Sequence, residues 1–254
     1  MGHLLHPVGN DKEEVVSVRT PVNGDEKARN AEKQMSMDDK GFRVVYTGGE
    51  GEIIEKKSRF IATVRPVESE EEASAFIAEM KKKYWDARHN CSAFVIGTRQ
   101  ELTRCSDDGE PAQTAGRPML DVLLREGITN VAVVVTRYFG GVLLGTGGLV
   151  RAYQAATQAG LAASVIIEKK PGRKLVIGTD YNGLGKLQYL FAQLGISILD
   201  TEYGADVRIS VMVPQELQQK VEKEITEKTS GSAKLEWGDQ VIYADIEGKV
   251  RIFE

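Results

Sequence analysis

The spacing of apolar residues changes period several times along the chain, and each change predicts an element. From residue 42 the period is near two. Phe42–Tyr46, Glu52–Lys56 and Arg59–Pro66 read as strands, the first two flanking the turn Gly48-Gly49-Glu50-Gly51. The period then lengthens. Ser69 with Glu72 three residues later has the form of a capping box, and Ala73, Phe76, Ile77 and Met80 mark one face of a helix. Lys81-Lys82-Lys83 close it, where cations complement the helix dipole. Cys91–Ile96 predicts a strand. Met119, Leu120, Leu123 and Leu124 predict a helix entered through Pro118 and ended by Gly127. Val131–Val135 is an unbroken apolar run, which predicts a central strand covered on both faces. Leu149, Ala152, Tyr153, Ala156, Ala159 and Gly160 then form a narrow face of small residues on a helix over Leu149–Ala163, suited to close approach to a sheet.

Lys169-Lys170-Pro171-Gly172 has linker composition. Beyond it the pattern restarts: strand Lys174–Thr179, helix Leu184–Leu194, strand Ile196–Tyr203, strand Asp206–Val213, helix Gln215–Lys228, strand Ala233–Asp245. This β-α-β-β-α-β order is that of the ferredoxin-like motif. The expectation is an α+β chain of two domains, 41–168 and 173–254. Residues 1–40 are polar, lack a period and contain Pro7 and Pro21, so they read as a disordered extension. Met35 and Met37 stand just before the first patterned segment as alternative starts.

Composition narrows the function classes. Net charge is −4, and it is spread evenly: residues 1–41 carry 6 basic and 8 acidic side chains, 42–168 carry 15 and 16, and 169–254 carry 12 and 13. No segment is basic enough to bind nucleic acid through bulk charge, although a local patch stays open. No apolar run reaches the length of roughly 18 residues that a membrane span needs. The N-terminus lacks the basic lead of a secretory signal, and His6 stands where a myristoylation pattern needs Ser or Thr. Two cysteines, Cys91 and Cys105, fit a reducing compartment, so a cytoplasmic location is expected. With His89 they make three possible soft ligands, short of the four or so of a structural zinc site. Neither a metal nor another cofactor is expected.

Four stretches could carry chemistry. Ser106-Asp107-Asp108-Gly109-Glu110-Pro111 packs three carboxylates into six residues and continues to Thr114-Ala115-Gly116. It is no EF-hand, because Arg104 and Ala115 stand at the positions of the first and last calcium carboxylates. Thr136 to Gly148 runs from a strand through five glycines into a helix, where Gly145, Thr146, Gly147 and Gly148 could present amides to an anion between Arg137 and Arg151. Close packing explains the glycines equally. Thr146 replaces the lysine of a phosphate-binding P-loop, and the glycine spacing is not that of a dinucleotide site. Lys56-Lys57-Ser58-Arg59-Phe60 sets cations beside an aromatic, suiting a phosphate or a solvated strand edge. Asp86 to Cys91 contains His89, and a Cys–His nucleophile would need it beside Cys91 or Cys105.

EKKSRFIA at 55–62, ARHNCSAF at 87–94, SDDGEP followed by TAG at 106–116, and VVTRYFGGVLLGTGGLVRAY at 134–153 together resemble the IMPACT/YigZ family in order and spacing. The resemblance covers 42–254 and implies a first domain with the α+β fold shared by the fourth domain of elongation factor G and by RNase PH. It implies a ferredoxin-like second domain similar to the last domain of that factor. It further implies a link to translation, since the eukaryotic relative regulates translation by competing with a starvation-response kinase for its activator. That role uses an additional domain, which the resemblance over 42–254 does not include. Gln113 departs from the family pattern, which has glycine there.

Two functions follow. In the first, the protein is a translation-associated binding module that regulates translation through RNA, the ribosome or a translation-related protein. Lys57, Ser58, Arg59, His89, Thr114, Arg137, Arg151 and the Gly145–Gly148 amides would line a groove of the first domain, with Asp107, Asp108 and Glu110 ordering the cations and Asp108 pairing with Arg137. In the second, a small-molecule enzyme uses the same groove on a phosphorylated or peptide-like substrate, with an Asp or Glu as base.

Overall fold

The computed structural model describes residues 41–253, so the expected extension and alternative starts lie outside it. Five strands form one antiparallel sheet in the order β2 (Glu50–Glu55), β3 (Ser58–Pro66), β7 (Val131–Tyr138), β4 (His89–Ile96), β5 (Leu102–Ser106). The apolar run at 131–135 is central and covered twice, as its pattern requires. Val131, Val133 and Val135 enter the core shared with α2 (Gly116–Arg125) and α3 (Thr146–Ala162). Ala132 and Val134 enter the core shared with Phe76 and Met80 of α1 (Glu70–Lys83). Each fully buried valine contributes about 1.5–3 kcal/mol relative to exposure.

The small-residue face of α3 seats directly on β2 and β3. A Cβ at Gly160 would lie 2.9 Å from the Ala62 Cβ, and one at Gly51 would lie 2.3 Å from the Ala159 carbonyl carbon. At the start of α1 the Ser69 side chain accepts from the Glu72 amide, while Glu72 reaches back to the Glu68 amide, one residue earlier than a reciprocal capping box would place it.

The second sheet is built on β8 (Val165–Thr179). Its first half pairs with β1 (Phe42–Thr47), which pairs in parallel with the two-residue β6 (Ile128–Thr129). Its second half pairs with β10 (Val207–Pro214) and with β11 (Lys234–Ile246). Outside these lie β9 (Ile198–Tyr203) on β10 and β12 (Lys249–Phe253) on β11. With α4 (Tyr181–Leu194) and α5 (Gln218–Lys228), the order β-α-β-β-α-β is present, and its four strands stand as β11-β8-β10-β9. Their core joins Leu175, Ile177, Ile209 and Val211 to Leu187, Phe191, Val221 and Ile225.

The expected linker at 169–172 is a correction: it lies inside β8. Lys169 pairs with Phe42 of β1, Pro171 with Ile242 of β11, and Gly172 with Pro214 of β10. Proline has no N–H to give a ladder. It stands where β8 passes from β1 to β10, between the last pair of one and the first of the other. The chain is thus a two-domain α+β protein with one mixed sheet and one antiparallel sheet, and its two halves share a strand.

Candidate functional site

The 106–116 stretch is held from within. The Asp107 carboxylate accepts three backbone amides, from Gln113 at 2.7 Å, Ala115 at 3.0 Å and Gly116 at 2.8 Å. It therefore caps α2, whose own N-cap residue Ala115 supplies no side-chain bond, and a carboxylate suits the positive end of a helix. Asp108 turns the other way. It accepts from the Asn90 amide at 2.6 Å and from Lys81 Nζ at 2.6 Å. Thr114 donates its hydroxyl to the Pro111 carbonyl. Gln113 stands at φ 61°, in the region that favours glycine. That explains why its place in the pattern calls for one.

The third carboxylate goes inward. Arg137 is two residues beyond Val135 on β7, so its side chain falls on the same face as the core valines. In register it stands between Phe60 of β3 and His89 of β4. Glu110 Oε1 meets Arg137 Nη1 at 2.6 Å, and both side chains are nearly closed to solvent, at 4% and 7% exposure. The same oxygen accepts the Tyr153 hydroxyl at 2.8 Å. Arg137 also lies over the rings of Phe60 and Phe139, at 5.4 and 5.7 Å. Its Nε is buried with no hydrogen-bond partner. The expected Asp108–Arg137 pair is thus corrected to Glu110–Arg137. Asp108 has φ 44°, and its carboxylate is directed to Asn90 and Lys81 instead.

Cys91 and His89 complete this layer. The Cys91 thiol lies 2.9 Å from the Asp107 carbonyl oxygen and 3.3 Å from the Tyr153 hydroxyl. Burial pushes the Cys91 thiol and the Tyr153 phenol far above their ordinary ranges, so both stay protonated as donors. A thiol so held is a poor nucleophile. His89 Nδ1 is 2.9 Å from the Asp108 carbonyl oxygen; a carbonyl only accepts, so Nδ1 carries the proton and Nε2 is the basic nitrogen of the neutral ring.

The other expected residues lie at the edges of this layer. Ser58 is buried, and its hydroxyl accepts the Gly140 amide at 3.1 Å. A Cβ on Gly140 would sit 2.0 Å from the Lys57 carbonyl carbon, so the glycine-rich stretch is pressed against the β2–β3 hairpin. Arg59 does not join the acidic loop; it forms a two-point pair with Glu52 at 2.7 and 2.9 Å. Gly145 caps α3 without a side-chain bond, and no acidic residue stands in the first turn of that helix. Arg151 lies over this turn, its Nη1 3.7 Å from where a Gly147 Cβ would be. Thr146, Gly145 and Gly147 are exposed there. Among the described residues no group of three or more His, Cys, Asp or Glu side chains could hold a metal ion, and no helix is long and apolar enough to cross a membrane. A shallow concavity on α5, lined by Gln219, Glu222, Lys223, Thr226 and Glu227, is remote in fold position and contains none of the expected residues.

Sequence reasoning missed Lys81, Asn90 and the hydroxyl of Tyr153 as members of the network. The lysine run read only as a helix end. Tyr153 read only as core, although a tyrosine on a face of small residues is a signal that its hydroxyl has a buried partner.

Comparison with known proteins bears on most of the described chain. Residues 56–161 match the family model described as Impact N-terminal domain, and residues 177–232 match a domain of unknown function, DUF1949. The chain is 38% identical over 198 residues to IMPACT family member YvyE of Bacillus subtilis, covering 78% of this chain and 91% of that protein. It is 36% identical over 182 residues to IMPACT family member YigZ of Escherichia coli, covering 71% and 89%. A crystal structure titled as a hypothetical protein shares 33% identity, with a TM-score of 0.50, over 77% of this chain and 96% of that one. Protein IMPACT of Mus musculus is 38% identical over 98 residues, 37% of this chain and 30% of that protein. With both domain models in sequence order and two relatives matched over most of their length, the chain belongs to the IMPACT family.

Proposed function

We propose that the protein is a translation-associated binding module, acting through RNA, the ribosome or a translation-related protein at the surface formed by the hairpin tip, the glycine-rich stretch and the start of α3. The link to translation rests on the family resemblance, and the fold likenesses, an elongation-factor-like first domain and a ferredoxin-like second, rest on it too. The strand order β11-β8-β10-β9 supports the second of these. One observation carries the binding reading. The reactive side chains are spent on structure: Asp107 on three amides, Glu110 on Arg137 and Tyr153, Cys91 in a buried thiol. The outward-facing groups, Lys56, Lys57 and Arg151 with the uncapped α3 amides, suit contact and not proton transfer. A cytoplasmic site of action accords with this reading.

Co-sedimentation with ribosomes from a cell lysate tests it. The protein should travel with ribosomes, and raising the salt should release it if phosphate contacts contribute. A protein that stays in the supernatant at low salt would defeat the reading.

The enzyme alternative has one point in its favour. His89 is tied at Nδ1 and leaves Nε2 basic, the arrangement of a general base. Turnover of a metabolite pool by the wild type and not by His89→Asn would support it; equal behaviour of the two proteins removes it.

A further inference from the structure

The hairpin between β2 and β3 holds two lysines in a conformation that lysine disfavours. Glu55 pairs with Ser58, so Lys56 and Lys57 are the two central residues of the turn. Their φ angles are 45° and 65°. A two-residue turn with left-handed backbone at both centres is the type I′ turn, whose preferred residues are Asn-Gly. Both lysines are exposed, and neither forms an ion pair among the described residues. Among the described residues no ion pair or side-chain hydrogen bond of either lysine offsets the strain. A strained and unpartnered charged pair marks a surface selected for something outside the chain.

What lies beside the lysines defines that surface. The Gly140 contact with the Lys57 backbone and the Gly140–Ser58 hydrogen bond join the hairpin tip to the glycine-rich stretch. That stretch presents Phe139, Val142 and Leu143 at 51%, 43% and 81% exposure. Three large apolar side chains within five residues stand out from a frame that is otherwise well packed.

Resting on the binding-module reading, we propose that this joined surface docks an acidic, apolar segment of a protein partner. Val142, Leu143 and Phe139 would be buried by its apolar side chains, and Lys56 and Lys57 would pair with its carboxylates. The chemistry favours protein over RNA. Aliphatic tips give a base no face on which to stack, and the Phe139 ring already has Arg137 at 5.7 Å. Residues 42–168 carry 15 basic and 16 acidic side chains, so the domain has no extended basic field for a nucleic-acid backbone to follow, whereas a short acidic segment needs only the two lysines. Glu55 is exposed beside the turn and would repel a continuous phosphate backbone, whereas a peptide can place its carboxylates to avoid it.

The test uses the full-length chain carrying the photo-crosslinker p-benzoylphenylalanine at Leu143 in cells, with the same group at exposed Trp85 as control. The expected adduct is specific to position 143, resists ribonuclease and is destroyed by protease. Mass spectrometry of its crosslinked peptide should read Asp and Glu interspersed with Leu, Ile or Val. The variant Lys56→Asn/Lys57→Gly removes both charges and supplies the residues the turn prefers. Its adduct yield should fall about tenfold, the equivalent of one or two lost charge contacts. Its melting temperature should rise by about 2–4 °C, which excludes misfolding as the cause. A ribonuclease-sensitive adduct, a crosslinked peptide without acidic residues, an undiminished yield in the double variant, or labelling no stronger than at Trp85 would each overturn the proposal. Ribosome co-sedimentation of the same proteins separates it from the reading beneath it. Sedimentation without the 143 adduct defeats this surface alone, and the adduct without sedimentation defeats the link to ribosomes alone.

Discussion

Replacing Glu110 by alanine should be the most damaging single change in the 106–116 stretch. The carboxylate is 4% exposed and touches both Arg137 Nη1 and the Tyr153 hydroxyl through one oxygen. Its removal leaves a guanidinium 7% exposed with no counter-ion and deprives Tyr153 of its acceptor. Arg137 Nε is already without a partner, so the guanidinium has little left to lose before it must find water. Breaking a buried ion pair from one side costs about 3–5 kcal/mol. At about 2–4 °C per kcal/mol for a chain of this size, the melting temperature should fall by roughly 6–20 °C. Glu110→Gln keeps the shape and an oxygen but not the charge, and should cost less, about 1–3 kcal/mol. The informative variant is Glu110→Leu/Arg137→Met, which removes both charges and fills the space. If desolvation is the penalty, the double variant should melt above Glu110→Ala, because hydrophobic replacement of a buried pair is near neutral. Thermal melts followed by circular dichroism measure all three. A Glu110→Ala melt within 2 °C of wild type, about 1 kcal/mol or less, would refute the reasoning, as would a double variant less stable than the single.

Gln113→Gly should raise the melting temperature by about 2–4 °C, since it relieves a left-handed residue worth roughly 1 kcal/mol, and no change would mean the turn relaxes around glutamine. Asp107→Ala should cost about 2–3 kcal/mol and speed hydrogen exchange at the Gln113, Ala115 and Gly116 amides; exchange unchanged at all three would count against the capping role. Thiol titration of the native protein should find Cys105, which is exposed, and not Cys91, which should react only in denaturant. Burial raises the Cys91 and Tyr153 ionisations, so the folded protein keeps protons that the unfolded chain releases. The stability this confers is complete below the ordinary thiol range and is lost as pH rises from about 9. Melts between pH 7 and 11 should show that decline, smaller in Cys91→Ala/Tyr153→Phe; an equal decline in the variant would assign it elsewhere.

The elements that were legible are those whose burial is decided locally. Val131–Val135 could be read as a doubly covered strand because every residue is apolar, and the β-α-β-β-α-β order because Gly195 and Pro214 punctuate it. The strands β5 and β12 are five residues long with exposed or half-exposed side chains, so no apolar run marks them; pairing with β4 and β11 makes them strands. The site divides in the same way. Three carboxylates in six residues announced a special loop, but which one enters the core depends on a partner 27 residues away. Part of that answer was available: Arg137 shares the parity of Val133 and Val135, which places a charge on a buried face and calls for a carboxylate there. The choice of Glu110 over Asp108 was not, because it follows from the left-handed backbone at Asp108, which no residue type forces.

Pro171-Gly172 shows how turn chemistry can mislead when two ladders meet end to end. The pair reads as a linker because proline cannot donate and glycine bends easily. In β8 the proline falls between the pair Lys169–Phe42 and the pair Gly172–Pro214 on one side and stands opposite Ile242 of β11 on the other, so the strand runs straight through it. Glycine is needed there for a different reason: a Cβ would lie 2.5 Å from the Tyr243 ring and 2.7 Å from the Val213 carbonyl oxygen. Rotating one domain against the other about these residues would break pairing of β8 with β1 on one side and with β10 and β11 on the other. A strand that belongs to both halves resists that motion as a flexible linker does not.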